Sequence, residues 1–95
     1  MKIKFSPQRA NKHTVSSIDN TVFKYNEEVI DLSDIPNGAT ATDSENRFTI
    51  DKDINGNIEI YMLWQYTENT KENCFPKDLE IIDGEIYPTE STIWV

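Results

Sequence analysis

Phe48-Thr49-Ile50-Asp51-Lys52-Asp53-Ile54-Asn55-Gly56-Asn57-Ile58-Glu59-Ile60-Tyr61-Met62-Leu63-Trp64 carries the clearest structural signal in the chain. Phe48 and Ile50 alternate with polar residues on one side of Asn55-Gly56, and Ile58, Ile60, Met62 and Trp64 alternate on the other. Alternation with period two puts successive side chains on opposite faces of a strand, and Asn-Gly between two such runs is the strongest short-range sign of a hairpin. The opposite face of the second run, Asn57, Glu59, Tyr61 and Leu63, starts polar and ends apolar.

The same period recurs outward in both directions. Ile3 and Phe5 alternate with Lys2 and Lys4, and Pro7 is expected to end a first strand over residues 1–6. Thr14–Ile18, Thr21–Tyr25 and Glu28–Leu32 are rich in β-branched and aromatic residues, with Asp19-Asn20 and Asn26-Glu27 as short joints, so they predict a meander. Ile35-Pro36-Asn37-Gly38 reads as a turn that the polar residues Ala39–Glu45 continue as a loop. Gln65–Asn73 has nothing apolar to bury and reads as a mobile surface loop. Leu79, Ile81 and Ile82 before Asp83-Gly84, with Ile86 and Tyr87 after it, predict a last hairpin closed by Pro88. Helix-length periodicity is absent. The expected architecture is a single all-β domain over residues 1–95, a small antiparallel sandwich or partly open barrel built from hairpins.

Composition agrees with one folded unit. The chain has 95 residues, 11% aromatic and 27% charged, enough ring-bearing residues for a core and too few residues for two domains. A lone cysteine, Cys74, provides no internal disulfide, the N-terminus lacks an export-type apolar run, and Met62-Leu63-Trp64 is far short of a bilayer span. These features predict a soluble, cytoplasmic protein. The formal charge of −8 opposes direct binding to nucleic-acid phosphates or to an anionic membrane.

That charge is unevenly spread. Residues 1–26 hold five basic residues against one acid, Asp19, whereas residues 27–95 hold four basic residues against sixteen acids. Such asymmetry can steer a basic partner onto the acidic part or order identical subunits head to tail; solubility alone is the simpler explanation. Asp51, Asp53 and Glu59 are the candidate acidic surface, which in the functional reading imitates phosphate spacing and fills the groove of a nucleic-acid-binding protein.

Asp51-Lys52-Asp53-Ile54-Asn55-Gly56 also matches the opening of a calcium loop, and Glu59 falls at its ninth position. Met62 stands where the bidentate glutamate belongs, and a hairpin turn accounts for Asn55-Gly56, so no metal and no cofactor are assigned. His13 has no base or ligand partner near it in sequence, and Cys74, beside Phe75, reads as a small core residue. No catalytic residue is assigned. Trp64, Tyr66 and Trp94 are the candidate interaction anchors, because aromatic side chains dominate interface energetics; ordinary core packing is their competing role.

Met1-Lys2-Ile3-Lys4-Phe5-Ser6-Pro7-Gln8-Arg9, Ile35-Pro36-Asn37-Gly38-Ala39-Thr40, Phe75-Pro76, Asp83-Gly84 and Pro88 together resemble a group of short uncharacterised bacteriophage and prophage proteins. Members open with a close relative of M-K-I-x-F-S-P-Q-R, carry a P-x-G-A-T turn and finish with F-P and a D-G turn. The likeness spans nearly the whole chain, with two departures. Gln65–Asn69 replaces an apolar, Pro-rich segment, and Ser91–Val95 extends past the usual end. The group tends to be encoded among tail and tail-fibre genes, which implies a structural or assembly role, a protein partner from the tail or the host, and no reaction or catalytic residue to carry over.

Overall fold

The computed structural model describes residues 1–74 and 76–88. The chain forms an all-β sandwich, with nine strands among the described residues, β1 (Lys2–Arg9), β2 (Ser16–Asp19), β3 (Val22–Tyr25), β4 (Glu28–Asp31), β5 (Thr40–Thr42), β6 (Phe48–Lys52), β7 (Ile58–Tyr66), β8 (Leu79–Glu80) and β9 (Gly84–Ile86), a 3-10 turn at Leu32–Asp34 and a short α-helix, α1 (Lys71–Cys74). The first sheet has the order β5-β6-β7-β1-β8 and the second the order β4-β3-β2-β9. Among the described residues both sheets stay open at their edges, so the architecture is a sandwich and not a closed barrel.

The hairpin read from residues 48–64 is the spine of the first sheet, with Ile50 opposite Ile60 and Phe48 opposite Met62. Its turn is held by Asp53, whose carboxylate accepts from the backbone N–H groups of Asn55 and Asn57, both at 2.9 Å, and from the Asn57 side chain at 3.2 Å. Gly56 takes φ +86°, a region costly for any residue with a Cβ, and a Cβ there would stand 3.4 Å from the Asn37 side chain. Gly56→Ala is therefore expected to lower stability by about 1–2 kcal/mol in a denaturant titration. The meander of β2, β3 and β4 is also as the sequence indicates. Its two joints place Asn20 and Asn26 at φ 57° and 53°, the left-handed region that asparagine enters more easily than most residues.

Four local expectations are corrected. β1 does not stop at Pro7 but runs to Arg9, paired in parallel with β7 from Lys2–Glu59 to Arg9–Tyr66. The Ala10 N–H bonds the Tyr66 carbonyl, so even-numbered residues of β1 face β7 and Pro7 faces the other edge. There β8 pairs only with Lys2 and Ile3, and a missing N–H breaks no ladder. Within Ala39–Glu45, Thr40–Thr42 form β5, an edge strand on β6. Gln65 and Tyr66 belong to β7, and the following residues coil into α1, which buries Asn73. The last hairpin does not form: β8 pairs with β1 in the first sheet and β9 with β2 in the second. Asp83-Gly84 is thus a corner between sheets. Its Asp83 carboxylate accepts from the Asn20 N–H at 2.9 Å, and Ile81 N–H is tied to the Met1 carbonyl at 2.9 Å.

The parallel pair follows from chain routing. After β1 the chain leaves to build most of the second sheet and returns to lay β7 beside β1, so the two strands run the same way. The core lies between the sheets, where Ile3, Ile50, Ile60 and Trp64 meet Ile18, Phe23, Tyr25 and Ile86. Each such side chain contributes roughly 1.5–3 kcal/mol when fully buried. Tyr25 links the layers by donating its hydroxyl proton to the Leu63 carbonyl on β7 at 2.6 Å. Tyr25→Phe is expected to cost about 1 kcal/mol and to lower the melting temperature by about 4–8 °C. Lys52 closes one side: its ammonium donates to the carbonyls of Leu32 and Ile35 at 3.3 and 2.9 Å, satisfying acceptors at the end of the 3-10 turn Leu32–Asp34.

Candidate interaction surface

The expected anchors do not stand at the surface. Trp64 is 2% exposed and Tyr66 is also buried, because both share the inward face of β7 with Ile60 and Met62. The Trp64 indole N–H donates to the Asn73 Oδ1 at 3.0 Å, and the rings of Phe5 and His13 meet its ring edge-on at 5.5 and 5.2 Å. Asn73 in turn donates to the Glu68 carbonyl at 3.0 Å. Tyr66 places its hydroxyl 3.6 Å from the Cys74 sulfur, and that contact, followed by burial, raises the phenol's pKa. Core packing is the role of both rings. The signal was present in the sequence, since Trp64 and Tyr66 continue the even-numbered register that Ile60 and Met62 set. Trp94 lies outside the described residues.

What the fold does expose is a set of smaller apolar side chains on the outer face of the second sheet. Ser16 pairs with Ile86, both inward, so Val15 and Tyr87 leave these strands on the outward side, 69% and 59% exposed. Val29 on β4, 65% exposed, projects from the same face next to Lys24. Sequence reading missed all three. Once Ser16, Ile18, Phe23 and Tyr25 are known to point inward, parity alone assigns their neighbours to the solvent side.

The three candidate acidic residues separate into two roles. Asp51 and Glu59 are directly opposed across β6 and β7 on the outer face of the first sheet. Asp51 accepts from the Thr40 hydroxyl at 3.1 Å and Glu59 from the Tyr61 hydroxyl at 2.7 Å. That bond first, and Lys4 and Lys2 after it, hold the Glu59 carboxyl below its ordinary value, while the same bond raises the Tyr61 phenol. Lys2 is the residue aligned with Glu59 on β1, and the Lys4 ammonium lies 5.3 Å from the centre of the Tyr61 ring. The face is therefore a mixture of signs, with a depression of about 240 Å³ lined by Lys4, Thr49, Tyr61 and Leu63 among others. Asp53, by contrast, spends its oxygens on the hairpin turn. Among the described residues no three His, Cys, Asp or Glu side chains are grouped as metal ligands would be.

Arg47 organises a second charged cluster where the sheets meet. Its guanidinium bonds Asp43 at 2.7 Å, Glu28 at 3.2 Å and Glu45 at 3.3 Å, and lies 5.7 Å from the centre of the Tyr25 ring. The hydrogen bond from Arg47 holds the Asp43 carboxyl below the usual 3.8. Asp31 is lowered by the Ser33 hydroxyl and N–H, and Asp53 chiefly by the Asn57 N–H. A carboxyl whose folded pKa is depressed contributes stability that is complete above its unfolded pKa and disappears as pH falls through the folded one. Stability is therefore expected to be flat from neutral pH to about 5 and to decline below about 4. Asp43→Asn should flatten part of that decline in denaturant titrations at stepped pH.

Among the described residues no helix is long and apolar enough to cross a membrane. Comparison with protein-family models, with curated proteins and with solved structures finds no match to this chain.

Proposed function

We propose that this chain is a non-enzymatic interaction module of a phage or prophage, serving the tail or its assembly by holding another protein. The observation that carries the reading is the placement of Val15, Val29 and Tyr87 on one solvent-facing side of a sheet whose other side is fully used by the core. Val29 is carried by a strand of this sheet, and Val15 and Tyr87 directly flank two others, so their exposed surface can be covered with little ordering of the backbone, which keeps the entropic cost of association low. The resemblance of Met1–Arg9 to the openings of tail-region phage proteins supports the biological setting.

The test is genetic and structural. Removing the coding sequence from the phage should leave particles with absent or defective tails, restored by the wild-type chain and not by a variant carrying Val15→Asp and Tyr87→Asp that still melts normally. A full yield of infectious tailed particles without the protein would refute the reading. An acidic inhibitor of a nucleic-acid-binding host protein is the alternative, favoured by the sixteen acids of residues 27–95. Its complex would survive Val15→Asp combined with Tyr87→Asp, whereas one built on Val15, Val29 and Tyr87 would be lost.

A further inference from the structure

We infer that the free edge of β4 is a strand-addition site for an extended, basic peptide segment of the partner. The inference rests on the reading that this protein works by contact, and it specifies the mode of contact and the chemistry of what is bound.

Among the described residues β4 ends the second sheet, paired on one side only, with β3. The Leu32 N–H bonds the Thr21 carbonyl at 2.7 Å, which fixes the alternation: Leu32, Ile30 and Glu28 turn their backbone polar groups to β3, and Val29 and Asp31 turn theirs away. Among the described residues, the Val29 N–H and C=O and the Asp31 N–H thus form an unpaired row, while the Asp31 carbonyl begins the 3-10 turn Leu32–Asp34. Glu28, Val29 and Asp31 are all exposed, so the row is open to an incoming strand. Such rows template strand addition, in which main-chain hydrogen bonds supply affinity and alternate side chains supply selectivity.

Charge selects the occupant. Residues 27–34 contain Glu27, Glu28, Asp31 and Asp34 and no basic residue. A second copy pairing β4 with β4 would bring these acids together, so self-association through this edge is opposed. A segment whose outward-facing positions are Lys or Arg would meet Glu27 and Asp31 on the outer face, with Asp34 past the strand's end, while its inward-facing apolar positions would lie along the half-buried Ile30. Like-charge repulsion against acidic segments makes the same edge selective.

The probe is a fluorescent peptide of alternating lysine and valine, about eight residues long, measured by anisotropy against the full chain. Binding is expected at low salt, weakening as salt rises, and a glutamate–valine peptide should bind at least about tenfold more weakly. Val29→Pro removes an N–H that no ladder bond uses and puts a ring where the guest strand must lie, so it should reduce lysine–valine binding at least about tenfold. Circular dichroism reports whether the fold survives that change. A second arm does not depend on it: Glu27→Lys with Asp34→Lys should shift preference to the glutamate–valine peptide. In the wild-type chain, bound peptide should slow hydrogen exchange at the Val29 and Asp31 amides. The inference is overturned if folded Val29→Pro binds as well as wild type, if the exchange protection falls elsewhere, or if the edge proves to hold a second copy in sedimentation. If tail assembly needs the protein but tolerates Val29→Pro, the edge site fails and the module reading stands; if assembly needs neither, the module reading itself fails.

Discussion

Replacing Trp64 by alanine is expected to lower stability by about 3–5 kcal/mol, a fall in melting temperature of more than about 12 °C for a domain of this length. Two losses combine. The ring is 2% exposed and packed edge-on by Phe5 and His13, so its removal leaves a void between β7, β1 and the residues before β2. Asn73 also loses the indole donor on its Oδ1, leaving a buried acceptor unpaired. Trp64→Phe separates the two, since it keeps most of the ring and removes only the N–H; the expected cost is about 1–3 kcal/mol. An unchanged melting temperature for Trp64→Ala would return this residue to the surface and remove the account of how α1 is held.

The second large effect is expected at Phe23. It is fully buried on β3 and meets Phe48 of the opposite sheet edge-to-face at 5.3 Å, with Tyr25 at 6.4 Å beside it. Phe23→Ala deletes the ring that joins the two layers, at a cost of about 3–5 kcal/mol. Phe23→Leu retains much of the volume but not the edge-to-face contact, so it should cost distinctly less. Because the second sheet has four short strands, loosening this contact should also raise hydrogen exchange across β2, β3 and β4 before the first sheet is affected. Equal exchange in both sheets would show that the layers unfold as one unit and would count against that order. By contrast, Val15→Asp and Tyr87→Asp lie on exposed positions and should each change stability by no more than about 0.5 kcal/mol. Loss of partner binding in those variants could then not be put down to unfolding.

The buried and exposed aromatics show how a correct pattern can carry a wrong assignment. Trp64 and Tyr66 sit in the same even-numbered series as Ile60 and Met62, and that series is the core face. Reading them as anchors gave weight to side-chain type over position. Val15, Val29 and Tyr87 are ordinary by type, and their position on the outer face is what makes them available. Asp53 shows the reverse case. The Asp-x-Asp-x-Asn-Gly spacing resembles an ion-binding loop, yet a hairpin needs the same residues, with one carboxylate gathering the N–H groups that the tight turn leaves open.

Local pattern was sufficient for the all-β class, the hairpin around Asn55-Gly56 and the meander from Ser16 to Asp31, because alternation and turn chemistry act between residues a few positions apart. It was not sufficient where pairing joins distant segments. The parallel match of Lys2–Arg9 with Glu59–Tyr66, the split of β8 and β9 between two sheets, and the descent of Asn73 onto Trp64 all depend on which strands become neighbours once the layers close. Period two says which face a side chain occupies and nothing about which strand lies beside it. That choice is made by burying both apolar faces at once, a condition on the whole chain and not on any stretch of it.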